Sequence, residues 1–141
     1  MIMNRKASAI WQGGLKDGRG TVSTESGVLH EAAYSFRTRF ENEKGTNPEE
    51  LIAAAHAACL SMALSNGLAQ AGSPADHLHT AATVTFVPGT GITKVALRVR
   101  GSVPGMDEAA FLEKAEAAKD GCPVSKALAG VPEITLDAAL E

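Results

Sequence analysis

The longest apolar-leaning run, Leu51 to Leu68, lies inside "NPEELIAAAHAACLSMALSNGLAQAGSP" and constrains the fold more than any other stretch. Asn47 can cap a helix, Pro48 suits its first position, and Glu49 and Glu50 suit the positive end of the helix dipole. Good helix formers continue to about Ala71, where Gly72, Ser73 and Pro74 stop the helix. The run is mostly alanine and carries His56, Ser61, Ser65 and Asn66. A buried helix of a soluble protein explains it better than a membrane span.

Strands surround this helix in the sequence. "KASAIWQ" and "GTVSTES" flank Gly13-Gly14, with a turn at Gly27. From Tyr34 the pattern alternates, with Tyr34, Phe36, Thr38 and Phe40 on one face and Ser35, Arg37 and Arg39 on the other, so a strand is expected to Phe40. After the helix, "HTAATVTFV" and "ITKVALRVR" are joined by "PGTG". In the second, Val95, Leu97 and Val99 alternate with Lys94, Ala96, Arg98 and Arg100, as in a sheet with one dry face. A helix is expected from Asp107 to about Lys119 with Phe111, Leu112, Ala115 and Ala118 on one side, then a short helix from Pro123 to about Ala129. "EITLDAAL" reads as a last strand. The order predicts an α+β fold, sheet on one side and helix on the other, in a single domain over 1–141.

A net charge of −3 without a dense Lys/Arg cluster argues against nucleic-acid binding. The two cysteines, Cys59 and Cys122, form neither a disulfide-rich scaffold nor a C-x-x-C motif. "MIMNRKASAIWQGG" lacks the apolar core of a signal peptide, so a cytoplasmic protein with reduced thiols is expected.

A cysteine reacts as thiolate; apolar burial disfavours that form and a nearby cation favours it. Cys59 lies mid-helix, and its plainer reading is a small buried hydrophobe. His56, three residues earlier on nearly the same face, could stabilise a thiolate, though a core or interface histidine describes it more simply. Cys122 falls between Gly121 and Pro123, near a helix start where N–H groups favour a thiolate. It is the better intrinsic nucleophile on residues alone, against an inert turn residue. Arg37 fits a solvated face, Arg19 a turn, and Glu49 and Glu50 have a sufficient role at the helix start. His77 and His79 in "DHLH" could ligate a metal, but no further ligand set is recognisable, and a loop entering a strand describes them better.

"FRTRFENEKGTNPEELIAAAHAACLSMAL" and "GCPVSKAL", with "GTVSTESGVL", "VPG" and "EITLDAAL" in order, resemble the OsmC family of organic hydroperoxide peroxidases, related to the Ohr branch. The resemblance covers essentially the whole chain. It implies antiparallel sheets wrapped around long central helices in an intertwined homodimer. It implies a thiol peroxidase with Cys59 as peroxidatic and Cys122 as resolving cysteine. Arg39 matches the arginine that holds the thiolate and the peroxide, and Glu49 the carboxylate that orients it. In the Ohr branch the arginine instead follows the first Gly-Gly; here that position is Leu15, which favours Arg39 over Arg19. His56 also agrees with the OsmC pattern, with no role carried over. The implied substrate is an organic hydroperoxide and the implied reductant a small dithiol or a lipoylated protein, with no cofactor or metal. A cysteine-based redox sensor or binding protein without efficient turnover is the alternative.

Glu49 and Cys59 are ten residues apart on one helix, about 15 Å of rise, and cannot share a site within it. Antiparallel crossing of two such helices near Ala54 would bring Glu49 of one chain level with Cys59 of the other. Ala53, Ala54, Ala55, Ala57 and Ala58 would permit the close approach.

Overall fold

The computed structural model describes residues 1–141, in the order β1 (Ala7–Gln12), β2 (Arg19–Thr24), β3 (Ala32–Tyr34), α1 (Phe36–Phe40), α2 (Pro48–Gln70), β4 (His77–Val87), β5 (Gly91–Ser102), α3 (Glu108–Gly121), α4 (Pro123–Ala127) and β6 (Glu133–Leu140). The class is α+β, as expected. The chain forms two compact units, residues 1–51 and 52–141, with the boundary inside α2.

The first unit holds an antiparallel sheet in the order β1-β2-β3. Ala7 lies opposite Thr24 and Gln12 opposite Arg19, so Arg19 opens β2 instead of sitting in the turn. Every residue of β1 is exposed, Ile10 and Trp11 included. The strand expected through Phe40 stops at Tyr34, and Phe36–Phe40 is helical. The reason is a capping box. Ser35 Oγ accepts from the Thr38 N–H, and Thr38 Oγ1 accepts from the Ser35 N–H. The helix brings Phe36 and Phe40 together at i and i+4, with ring centroids 4.6 Å apart. Alternating hydrophobicity over so short a stretch fits both shapes, and the cap decides between them.

The second unit holds β4-β5-β6. β4 and β5 are antiparallel from His77 opposite Ser102 to Val87 opposite Gly91. β6 runs parallel to β5, with Lys94 opposite Glu133, so this sheet is mixed where an antiparallel one was expected. The chain leaves β5 and returns through α3 and α4, the length of connection a parallel neighbour requires. Val95, Leu97 and Val99 face the core as predicted and join Leu60, Leu64 and Leu68 of α2 and Phe111, Ala115 and Ala118 of α3. Burying each of those leucines contributes roughly 1.5–3 kcal/mol. Leu112, expected on the same side, is 44% exposed. Gly101 is buried where a Cβ would come within 2.9 Å of the Phe111 ring, so the ring sits directly on the sheet.

α2 follows its predicted limits closely. The Glu50 N–H donates to Asn47 Oδ1 at 2.8 Å, and Gly72, at φ +83°, ends the helix with the Ser73 N–H bonded to the Leu68 carbonyl. By length and composition alone it could cross a membrane, yet Leu60, Leu64 and Leu68 are packed in the core. Ala54, Ala55, Ala58 and Met62 remain exposed on it.

Candidate active site

Cys122 closes α3 and opens α4. Its N–H donates to the Ala118 carbonyl at 2.9 Å, and its carbonyl accepts from the Lys126 N–H at 3.1 Å. Its side chain is fully buried; no N–H of α4 meets hydrogen-bond geometry to its sulfur, yet the Val124 and Ser125 N–H groups lie close enough to favour its anion. Cys59, half-buried on α2, lies within hydrogen-bonding reach of it, and both thiols are free. Two cysteines distant in sequence thus meet in one core.

The environment treats them differently. Burial pushes the Cys122 thiol up, but the Cys59 side chain, the Ser125 N–H and hydroxyl and the Val124 N–H outweigh it, and the group lies below its ordinary value. Burial pushes the Cys59 thiol up, as does its proximity to Cys122, against a lowering influence of the Val124 N–H. Within a single chain, Cys122 is the thiol favoured as anion.

His56 is fully buried, one turn before Cys59, and its Nε2 lies 2.7 Å from Ser125 Oγ. It is a core histidine, but not a satisfied one, because Nδ1 has no hydrogen-bond partner. Burial holds its imidazole below the ordinary value, so it stays neutral. Ser125 was not singled out in the sequence. Its signal is position: three residues after Cys122 on a helix that Cys122 caps, it faces the same way.

In the first unit, Arg39 and Glu49 form a forked ion pair. Arg39 Nη2 donates to Glu49 Oε1 at 2.8 Å, and Nε to Oε1 at 3.1 Å and Oε2 at 3.3 Å. Glu49 is buried and Arg39 about one-third exposed. The local chain explains the meeting. Asn47 Nδ2 donates to the Thr38 carbonyl at 2.9 Å, tying the start of α2 to α1. Gly45 stands at φ +144°, where a Cβ would come within 2.7 Å of the Ala33 carbonyl oxygen, so only glycine allows the segment so close. Bidentate geometry fixes the guanidinium plane. Arg37, by contrast, is exposed and faces Glu41 and Glu43 at 3.8 and 3.7 Å, the solvated role expected of it.

Arg39 also lines a cavity of about 280 Å³ with Trp11, Leu15, Tyr34, Phe36 and Phe40. The sequence did not announce these walls, because they come from separate elements. Leu15, which stands where the Ohr branch places its arginine, lines the same cavity as Arg39. His77 and His79 enter β4, and His77 Nε2 sits 3.1 Å from the Glu141 carboxylate.

Residues 41–137 match the family model described as OsmC-like protein. The chain is 52% identical to Peroxiredoxin OsmC of Escherichia coli strain K12 over 144 aligned positions, covering 100% of this chain and 99% of the relative. It is 35% identical to an organic hydroperoxide resistance protein of Xanthomonas axonopodis pv. citri, over 67% of this chain and 68% of that one. Among solved structures, an organic hydroperoxide resistance protein from Elizabethkingia anophelis superposes with a TM-score of 0.76 at 26% identity, covering 100% of both chains.

Proposed function

This chain belongs to the OsmC family, and we propose that it is a two-cysteine peroxidase that reduces organic hydroperoxides to alcohols. Relatives named peroxiredoxin and organic hydroperoxide resistance protein support a peroxidase-type role. The observation that carries the two-cysteine reading is the meeting of Cys59 and Cys122 as free thiols.

In this mechanism the Cys59 thiolate attacks the terminal oxygen of ROOH. The O–O bond breaks, the alkoxide leaves and takes a proton to become ROH, and Cys59 becomes a sulfenic acid. Cys122 then attacks the Cys59 sulfur, the S–O bond breaks, and the hydroxide leaves as water. A dithiol, free or carried on a lipoylated protein, reduces the disulfide and restores both thiols. A cytoplasmic setting would keep both thiols reduced between turnovers.

Cys59 needs a cation, because burial and Cys122 both disfavour its thiolate. A second copy of the chain supplies it in this proposal. The two α2 helices cross antiparallel near Ala54, and the partner's Arg39, held by its own Glu49, faces Cys59. The exposed Ala54, Ala55, Ala58 and Met62 of α2 and the exposed β1 offer apolar surface for that contact. The aromatic walls around Arg39 suit an alkyl chain better than the compact, polar H₂O₂. In this reading residues 1–141 act as one domain, two copies to a functional unit.

The test is dithiol-dependent consumption of cumene hydroperoxide and of H₂O₂. Many turnovers per chain are expected, faster with the organic substrate, and none in Cys59→Ser. Glu49→Ala should lower kcat/KM about a hundredfold, the cost of a misaimed guanidinium. A disulfide formed once, without turnover, would make the chain a redox sensor instead.

A further inference from the structure

The peroxidase reading gives His56 and Ser125 nothing to do, yet they form a buried polar pair beside the thiols. His56 Nε2 is 2.7 Å from Ser125 Oγ. His56 is fully buried and Ser125 is 9% exposed. A buried nitrogen without a partner, as at His56 Nδ1, is costly and uncommon in a folded core. We propose that His56 and Ser125 are positioning residues for the resolving thiol, His56 holding the Ser125 hydroxyl in the orientation from which it donates to the Cys122 sulfur. The proposal rests on the peroxidase reading above.

The inventory of protons supports it. Ser125 has one hydroxyl proton. When that proton points at the Cys122 sulfur, the oxygen can only accept from His56, so Nε2 carries the imidazole hydrogen. Nδ1 is then a bare lone pair, and Nδ1 is the buried atom left without a partner. The neutral imidazole has one N–H to give, and this arrangement uses it. Ser125 is the third residue of the helix that Cys122 caps, the position nearest the cap side chain, and its hydroxyl is one of the groups that favour the Cys122 anion.

The outer side of Ser125 lines an open cavity of about 370 Å³ with Lys119, Asp120 and Lys126. A hydroxyl beside such a cavity is free to turn toward solvent unless something holds it. His56, on the sealed side, holds it toward the sulfur. In the step served, Cys122 sulfur bonds to Cys59 sulfur as the S–OH bond breaks. The proton given up by the Cys122 thiol ends on the departing hydroxide as water, and no further oxidant or reductant enters.

The test separates the two chemical steps. One equivalent of cumene hydroperoxide is added to reduced protein, sulfenic acid is trapped with dimedone, and disulfide formation is followed over time. Ser125→Ala and His56→Leu should slow disulfide formation about tenfold, the loss of one hydrogen bond to an anion, with Cys59 oxidation at its normal rate. His56→Gln, whose amide N–H can replace Nε2–H, should recover most of the rate. Nitrogen NMR of the reduced wild-type protein should find His56 protonated on Nε2, a measurement that needs no variant to fold. Wild-type rates in both Ser125→Ala and His56→Leu, or an Nδ1-protonated His56 in the reduced protein, would overturn the assignment and leave the peroxidase reading standing. A wild-type protein that forms no Cys59–Cys122 disulfide would instead remove the peroxidase reading itself.

Discussion

At the scale of single residues, acidity is set by what each side chain loses and gains on burial. Cys122 gains interactions with Cys59, Ser125 and Val124 that together outweigh its desolvation, while Cys59 gains no such compensation. His56 gains one partner and loses water on its other nitrogen. Its pKa is therefore below 6.5 when folded and ordinary when unfolded. On acidification through the ordinary histidine range the unfolded chain takes up the proton first, so stability is full above that range and falls as pH drops through it. Thermal melts of reduced protein should show Tm falling between neutral and mildly acidic pH, and His56→Gln should flatten that fall. The same slope in both proteins would rule His56 out as its source. The sequence offered both cysteines and His56 as candidates. It did not offer Ser125, because a serine earns notice only from what lies across the fold.

At the scale of elements, short-range chemistry competed with periodicity. Tyr34 to Phe40 alternates as a strand would, and the Ser35–Thr38 capping box turns it into α1. That turn puts Arg39 where its Nε and Nη2 both donate to the Glu49 carboxylate. Ser35→Ala should cost about 1 kcal/mol of stability, as a lost N-cap does, read by urea denaturation. It should also lower peroxidase kcat/KM, because α1 aims the guanidinium. Unaltered kinetics in a destabilised protein would separate the cap from the aim of Arg39. The long elements were legible without such help. α2, with Asn47 at one end and Gly72 at the other, and β5, with Val95, Leu97 and Val99 facing inward, declared themselves because many residues repeat one signal.

At the scale of the whole molecule, the proposed dimer makes a prediction about complementation. Heterodimers pairing a Cys59→Ser chain with an Arg39→Ala chain would contain one intact composite site if arginine and thiol come from different subunits. Such mixed dimers should recover about half the wild-type rate per dimer, the arithmetic of one site in an isologous pair, although each homodimer is nearly inactive. No recovery in purified heterodimers would place both groups in one subunit and remove the composite site.

By itself the sequence determined where the long helix begins and ends, which face of β5 is dry, the α+β class and the family. These depend on neighbours in the chain or on patterns repeated over many residues. Tertiary structure alone decided that β6 lies parallel to β5, that aromatic walls surround Arg39, and that His56 reaches Ser125 beside the two thiols. The reason is that strand pairing, burial and hydrogen bonding between distant segments depend on which surfaces collapse together, and no local pattern carries that information.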